Sequence, residues 1–131
     1  MAKKSLFPLI RKITTSTGAA FLAAVANNGN MFQRHPIQNQ HMMFITTNTQ
    51  SRMPVFEDAA CARIAVETLY SIQHFYPYFL FAFVIMPDHC HLLINVPEGG
   101  SISKVMGIYK RATTFNVGRG AIWQSRFHLL I

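Results

Sequence analysis

The stretch from Val84 to Ser101 reads "VIMPDHCHLLINVPEGGS". It joins two apolar runs through a proline–aspartate break and sets two histidines one residue apart at the start of the second run. Upstream, "YFLFAFVIM" (78 to 86) is almost wholly aromatic, β-branched or aliphatic, and "HCHLLINV" (89 to 96) continues in the same extended style. Two such runs separated by "PD" predict a β-hairpin. Side chains alternate along a strand, so His89 and His91 point one way, roughly 6.6 to 7 Å apart along the strand, and Cys90 points the other. Cys90 then anchors the strand in the core while the imidazoles face out, close enough to converge on one metal ion. An isolated H-x-H also fits two surface histidines, or one satisfied by a backbone carbonyl.

Working outward, "PEGG" ends the second strand and "SISKVMGIYKRATTFN" (101 to 116) follows. Ser101 is a good N-cap, Ile102, Val105, Met106, Tyr109 and Phe115 make an approximate helical stripe, and "VGRG" closes the helix. "AIWQSRFHLLI" (121 to 131) then begins another extended segment. On the other side, "HMMFITTNTQ" (41 to 50) has the composition of a strand and "SRMP" that of a turn. "EDAACARIAVETLYSIQHFY" (57 to 76) repeats apolar residues at three- and four-residue spacing with acids at its start, which predicts a helix of about five turns stopped by Pro77. The order strand, helix, strand, strand, helix, strand predicts an α+β, ferredoxin-like fold: a four-stranded antiparallel sheet with two helices on one face. Its other face is open to solvent, and there the histidines project.

The protein has 131 residues, enough for one domain with a real core. That domain is expected at 41–131, preceded by an N-terminal extension over 1–40 in which "NNGNMFQRHPIQNQ" (27 to 40) has no periodicity. Lys3, Lys4, Arg11 and Lys12 precede "GAAFLAAVA" (18 to 26), a pattern shared with secretory signals, but "ITTST" breaks the run. The block is expected as a short helix or a poorly ordered extension. No apolar run approaches the roughly 20 residues needed to cross a bilayer. Cys61 and Cys90 have no metal-cage spacing and read as buried thiols of a reducing compartment, so the expected location is cytoplasmic.

Net charge is +7. All the acids lie between Glu57 and Glu98, where Arg63 is the sole base, and both flanks are purely cationic. Such segregation suits a polyanion, since each cation near a phosphate releases condensed counterions. Nucleic acid is the leading partner class, with an acidic protein or a membrane surface as the other.

"VIMPDHCHLLINVP", the helix ending "YKRATTFN", and "GAIWQSRFHLLI" together resemble the HUH single-tyrosine transposases, in particular the REP-associated tyrosine transposases. The resemblance spans residues 41 to 131; its first motif is specific and "IWQSRF" supports it. It implies that His89 and His91 are metal ligands, with Cys90 as the hydrophobic residue between them. They would hold a divalent metal ion, Mg2+ or Mn2+, that polarises the scissile phosphate of single-stranded or hairpin DNA. A tyrosine attacks that phosphate, leaving a 5′-phosphotyrosine and a free 3′-hydroxyl for later rejoining. The resemblance also implies a homodimer. Two imidazoles are nitrogen-rich for magnesium, so an oxygen ligand from elsewhere should complete the sphere.

The nucleophile departs from the family pattern. The position matching the aromatic residue of the W-Q motif holds Phe127, which has no hydroxyl, and no tyrosine follows Tyr109. Tyr109 is therefore the downstream candidate, although its helical spacing with Met106 and Ala112 suits a core residue. The alternatives are a tyrosine in a segment beyond Ile131, so that the domain is truncated at its C-terminus, or a decayed copy that only binds DNA hairpins. For DNA contact, Lys104, Lys110, Arg111, Arg119 and Arg126 offer cations, Trp123 offers either base stacking or core packing, and Gln124 offers an amide for a base edge or a strand end. His35, His41, His74 and His128 lack ligand-like spacing. A zinc-dependent nucleotide hydrolase would need a further histidine where Leu93 stands.

Overall fold

The computed structural model describes residues 11–14, 20–25 and 42–130. Its elements in sequence order are β1 (Arg11–Thr14), β2 (Ala20–Val25), β3 (Met43–Asn48), α1 (Ala59–Ser71), β4 (Phe79–Met86), β5 (His89–Asn95), α2 (Ile102–Val117) and β6 (His128–Leu130). The described strands form one antiparallel sheet in the order β1-β2-β4-β5-β3-β6. The β4-β5-β3-β6 portion, with two helices on one face, is the ferredoxin-like arrangement the element order predicts. His35, His41 and the stretch from 27 to 40 lie outside the described residues.

Pro87 and Asp88 are the two-residue connection of the β4–β5 hairpin, with Met86 paired to His89. α1 starts at Asp58, whose carboxylate accepts from Ala60 N at 2.9 Å. α2 starts at Ser101, whose hydroxyl accepts from Lys104 N at 3.3 Å, and ends at Gly118 in the left-handed region (φ 71), a conformation only glycine adopts without strain. Both helices bury Ala65, Val66, Leu69, Val105, Met106 and Tyr109 against the sheet face that carries Ile45, Cys90, Leu92 and Ile94. The alternation of burial along β3 and β5 leaves Phe44, Thr46, Asn48, His89, His91 and Leu93 on the opposite, open face.

Three expectations change. The described part of the apolar block at 18 to 26 is not a short helix: Ala20–Val25 is a strand, paired Leu22 to Ile85 and Ala24 to Phe83. It covers the outer edge of β4, which would otherwise leave ladder N–H and C=O groups unpaired. The first helix is shorter than five turns, because Ile72–His74 tightens into a 3-10 turn ahead of Pro77, and Phe75 is 82% exposed instead of lining the core. Phe115, assigned to the apolar stripe of α2, is 84% exposed near the end of that helix.

Candidate metal centre and nucleic-acid surface

His89 and His91 stand on the open face with ring centroids 4.8 Å apart and planes 75° apart. Each ring is held through Nδ1. His89 Nδ1 is 2.7 Å from Asp88 Oδ1. An ionised carboxylate only accepts, so Nδ1 is the donor, and in the neutral ring this tautomer leaves the lone pair on Nε2. The hydrogen bond from His89, and after it the Arg52 guanidinium, hold the Asp88 carboxyl below the usual carboxylate range. His91 Nδ1 lies 2.9 Å from Thr46 Oγ1, and its ring stacks on Phe44 at 5.1 Å. Partial burial, reinforced by His89, lowers the His91 pKa and favours the neutral, ligating imidazole. Outer hydrogen bonds on Nδ1 are the usual support of histidines that ligate a metal through Nε2, and both rings can take that tautomer, so this pair fits a divalent ion. Among the described residues, no three His, Cys, Asp or Glu side chains gather into a metal-binding group.

The histidine hairpin is clamped by the segment that follows β3. Thr49 N donates to Asp88 O at 2.9 Å and Phe56 N donates to Pro87 O at 3.0 Å. Arg52 Nε donates to Asp88 Oδ2 at 3.0 Å. Arg52 reaches Asp88 from a turn in which Ser51 (φ 53) and Arg52 (φ 55) are both left-handed. That backbone is costly for residues other than glycine and persists only where surrounding bonds hold it. Here Arg52 N donates to Thr49 O and Met53 N to Gln50 O, both at 3.1 Å.

Tyr109 is not brought to the histidines. It is fully buried in the helix layer, its hydroxyl donates to Ala65 O at 2.9 Å, and burial pushes its pKa far up. Its electrostatic neighbour is Cys90, which the pleat turns away from His89 and His91. The nucleophile reading of Tyr109 is therefore corrected to a core role. Tyr70 and Tyr78 are buried as well, and the Tyr76 hydroxyl accepts from Ser101 N at 2.8 Å, beyond the end of β5 remote from His89. None of the protein's four tyrosines reaches the histidine face.

The cationic candidates divide. Lys110 Nζ donates to Gln124 O at 2.8 Å and Arg126 O at 3.1 Å, pinning the loop before β6, and burial lowers its pKa. Arg119 Nη2 donates to Asp58 Oδ2 at 2.6 Å. Lys104 Nζ lies 5.5 Å over the Tyr76 ring, in the same region as Ser101. Arg111 and Arg126 are exposed. Of the two readings of Trp123, core packing is the one observed: Nε1 donates to Thr113 Oγ1 at 2.7 Å and the ring packs between Phe56 and Tyr109. An open cleft of about 440 Å³ lies between the end of α2 and this loop, lined by Lys110, Arg111, Phe115 and Gln124 among others. Gln124 N donates to Asn48 O at 3.0 Å, and Asn48 pairs with His89 across the sheet. The W-Q segment thus runs beside the histidine end of β3.

The sequence profile described as "Transposase IS200 like" matches residues 37–129. The chain belongs to the IS200-like transposase family. Its fold is similar to a solved REP-associated tyrosine transposase bound to a REP hairpin: TM-score 0.61, 24% identity, covering 76% of this chain and 61% of that one. It is also similar to a Deinococcus radiodurans protein assigned as a transposase: TM-score 0.64, 19% identity, covering 76% of this chain and 84% of that one. The protein therefore spans less than two thirds of the REP-associated one. No curated protein matches significantly.

In this family member the residues that the sequence does not signal are those whose roles come from pairing. Arg52 reads as part of a turn, and nothing in "QSRM" signals a contact with Asp88. His128 sits opposite Thr46, so it belongs to the same open face as His89 and His91 despite its unremarkable spacing. Among the described residues, no helix is long and apolar enough to cross a membrane.

Proposed function

We propose that this protein carries the metal-binding and DNA-binding part of a transposase site that nicks and rejoins single-stranded or hairpin DNA. The single observation that carries the reading is the pair of imidazoles on the open face, each held at Nδ1, with ring centroids 4.8 Å apart. Family membership supports a role in DNA transposition. The hairpin-bound relative supports hairpin DNA as the partner.

In this proposal His89 and His91 hold Mg2+ or Mn2+, which when bound would polarise a scissile phosphate on the open face. Asp88 keeps the Nδ1 proton of His89 in place, and Thr46 and Phe44 orient His91. Exposed Arg111 and Arg126 contact phosphates and the Gln124 side of the cleft faces a base, while Lys110 and Arg119 hold the supporting loops. The attacking hydroxyl is a tyrosine that does not come from the four of this protomer. Its oxygen bonds to phosphorus as the 3′-oxygen leaves, giving a 5′-phosphotyrosine and a 3′-hydroxyl. A homodimer is one way such a residue reaches the site.

The placement of all four tyrosines away from the histidines favours a second reading, a catalytically inactive remnant that binds DNA hairpins without cutting them. Incubation with labelled hairpin DNA and Mn2+, followed by denaturing gel analysis, separates the two. A denaturation-resistant adduct, lost on His89→Ala, supports the enzyme; tight binding with no adduct supports the remnant.

A further inference from the structure

We propose that Asn48 supplies an oxygen ligand to the divalent ion held by His89 and His91. The inference rests on the metal reading above and fills the position that two imidazoles leave open. Asn48 pairs directly with His89 in the β3–β5 ladder, where facing side chains stand about 4.5 to 5.5 Å apart at Cβ. It is half-buried and shares the open face with both histidines, since Ile45, Thr47 and Thr49 take the buried positions between and beyond.

The other neighbours of the pair leave it as the available donor. Thr46 is engaged with His91 Nδ1, and Phe44 stacks on the His91 ring. Across β4, Val84 and Met86 face the histidines and offer no oxygen. Asp88 Oδ1 and Oδ2 are taken by His89 and Arg52. His128 stands one strand further out, beyond Thr46. The main-chain carbonyl of Asn48 accepts from Gln124 N, and among the described residues its side-chain amide makes no hydrogen bond. A neutral amide oxygen is a hard donor of the kind that magnesium and manganese take alongside imidazole and water. The W-Q loop, through Gln124 N, keeps the end of β3 in register with His89.

The test is Mn2+ titration of the metal-free, full-length protein, with free Mn2+ followed by its electron paramagnetic resonance signal. Asn48→Ala should weaken binding by about tenfold or more, and Asn48→Asp should strengthen it, because a carboxylate adds charge to the same position. Protein labelled with carbon-13 at asparagine Cγ should show a hyperfine coupling to bound Mn2+ that labelled Asn48→Ala lacks. Loss of binding in His89→Ala with unchanged binding in Asn48→Ala overturns the Asn48 assignment alone and points to an oxygen donor from elsewhere. Unchanged binding in His89→Ala overturns the metal reading and this assignment with it. Bound Mn2+ with no asparagine coupling overturns the assignment even if Asn48→Ala binds weakly.

Discussion

Arg52 Nε lies 3.0 Å from Asp88 Oδ2, joining residues 36 apart in the sequence, while the other oxygen of the same carboxylate holds the imidazole of His89. One carboxylate therefore couples a strained turn to a candidate metal ligand. Asp88→Ala should weaken Mn2+ binding by about tenfold or more through loss of the His89 orientation. Folding stability should fall by only about 0–1 kcal/mol, because the Arg52 pair is half-exposed and water already screens it. Metal titration and urea unfolding of one preparation check both; unchanged metal affinity removes Asp88 from the support of His89.

Acid should expose two carboxyls. The N–H of Ala60, followed by Arg119, holds Asp58 low, and His89, followed by Arg52, holds Asp88 low. A carboxyl with a depressed folded-state pKa binds its proton more readily when unfolded. Its contribution is complete above the ordinary aspartate value of about 3.9 and is lost as pH falls below it toward the folded value. Urea midpoints at pH 5 and pH 3 should differ less in Asp58→Asn than in the parent, and an equal difference counts against the Asp58 contacts.

Lys110 and Arg111 are neighbours on α2 with separable roles. Lys110→Met removes two charge-assisted bonds to the carbonyls of Gln124 and Arg126 and should cost about 1.5–3 kcal/mol in unfolding free energy. It should leave the salt slope of DNA binding nearly unchanged. Arg111→Gln should leave stability within about 0.5 kcal/mol and reduce that slope by about one. Fluorescence anisotropy across a salt series distinguishes them, and a slope lowered by Lys110→Met alone reverses the assignment.

Thr47 is fully buried on the core face beside Cys90, and among the described residues its hydroxyl has no hydrogen-bond partner. Valine has nearly the same shape and no group to leave unsatisfied. Thr47→Val should raise stability by about 1 kcal/mol. A drop in the urea midpoint would mean that the hydroxyl has a partner after all.

Much of the fold is legible along the sequence. The "PD" break, the helix caps Asp58 and Ser101 and the glycine after α2 are local signals, each acting within one turn of backbone. The segment from 18 to 26 is ambiguous at that level, because its apolar residues fit helix and strand alike. The exposed edge of β4, distant in sequence, decides the outcome. The charge segregation is partly misleading for a similar reason. Arg52 and Arg119 come from the cationic flanks, yet both pair with acids of the central segment in space.

By itself, the sequence determined that His89 and His91 share a face with Cys90 opposed, because the two-residue period of a strand needs no other information. It also placed two helices and a hairpin in the order that closes a ferredoxin-like sheet. Only the tertiary structure decided what surrounds the imidazoles: Asp88 and Arg52 on one side, Thr46, Phe44 and Asn48 on the other, with Tyr109 withdrawn beneath the sheet. Those contacts depend on cross-strand register and on which face the helices cover. Both are settled by long-range pairing and burial, which no local window of residues contains.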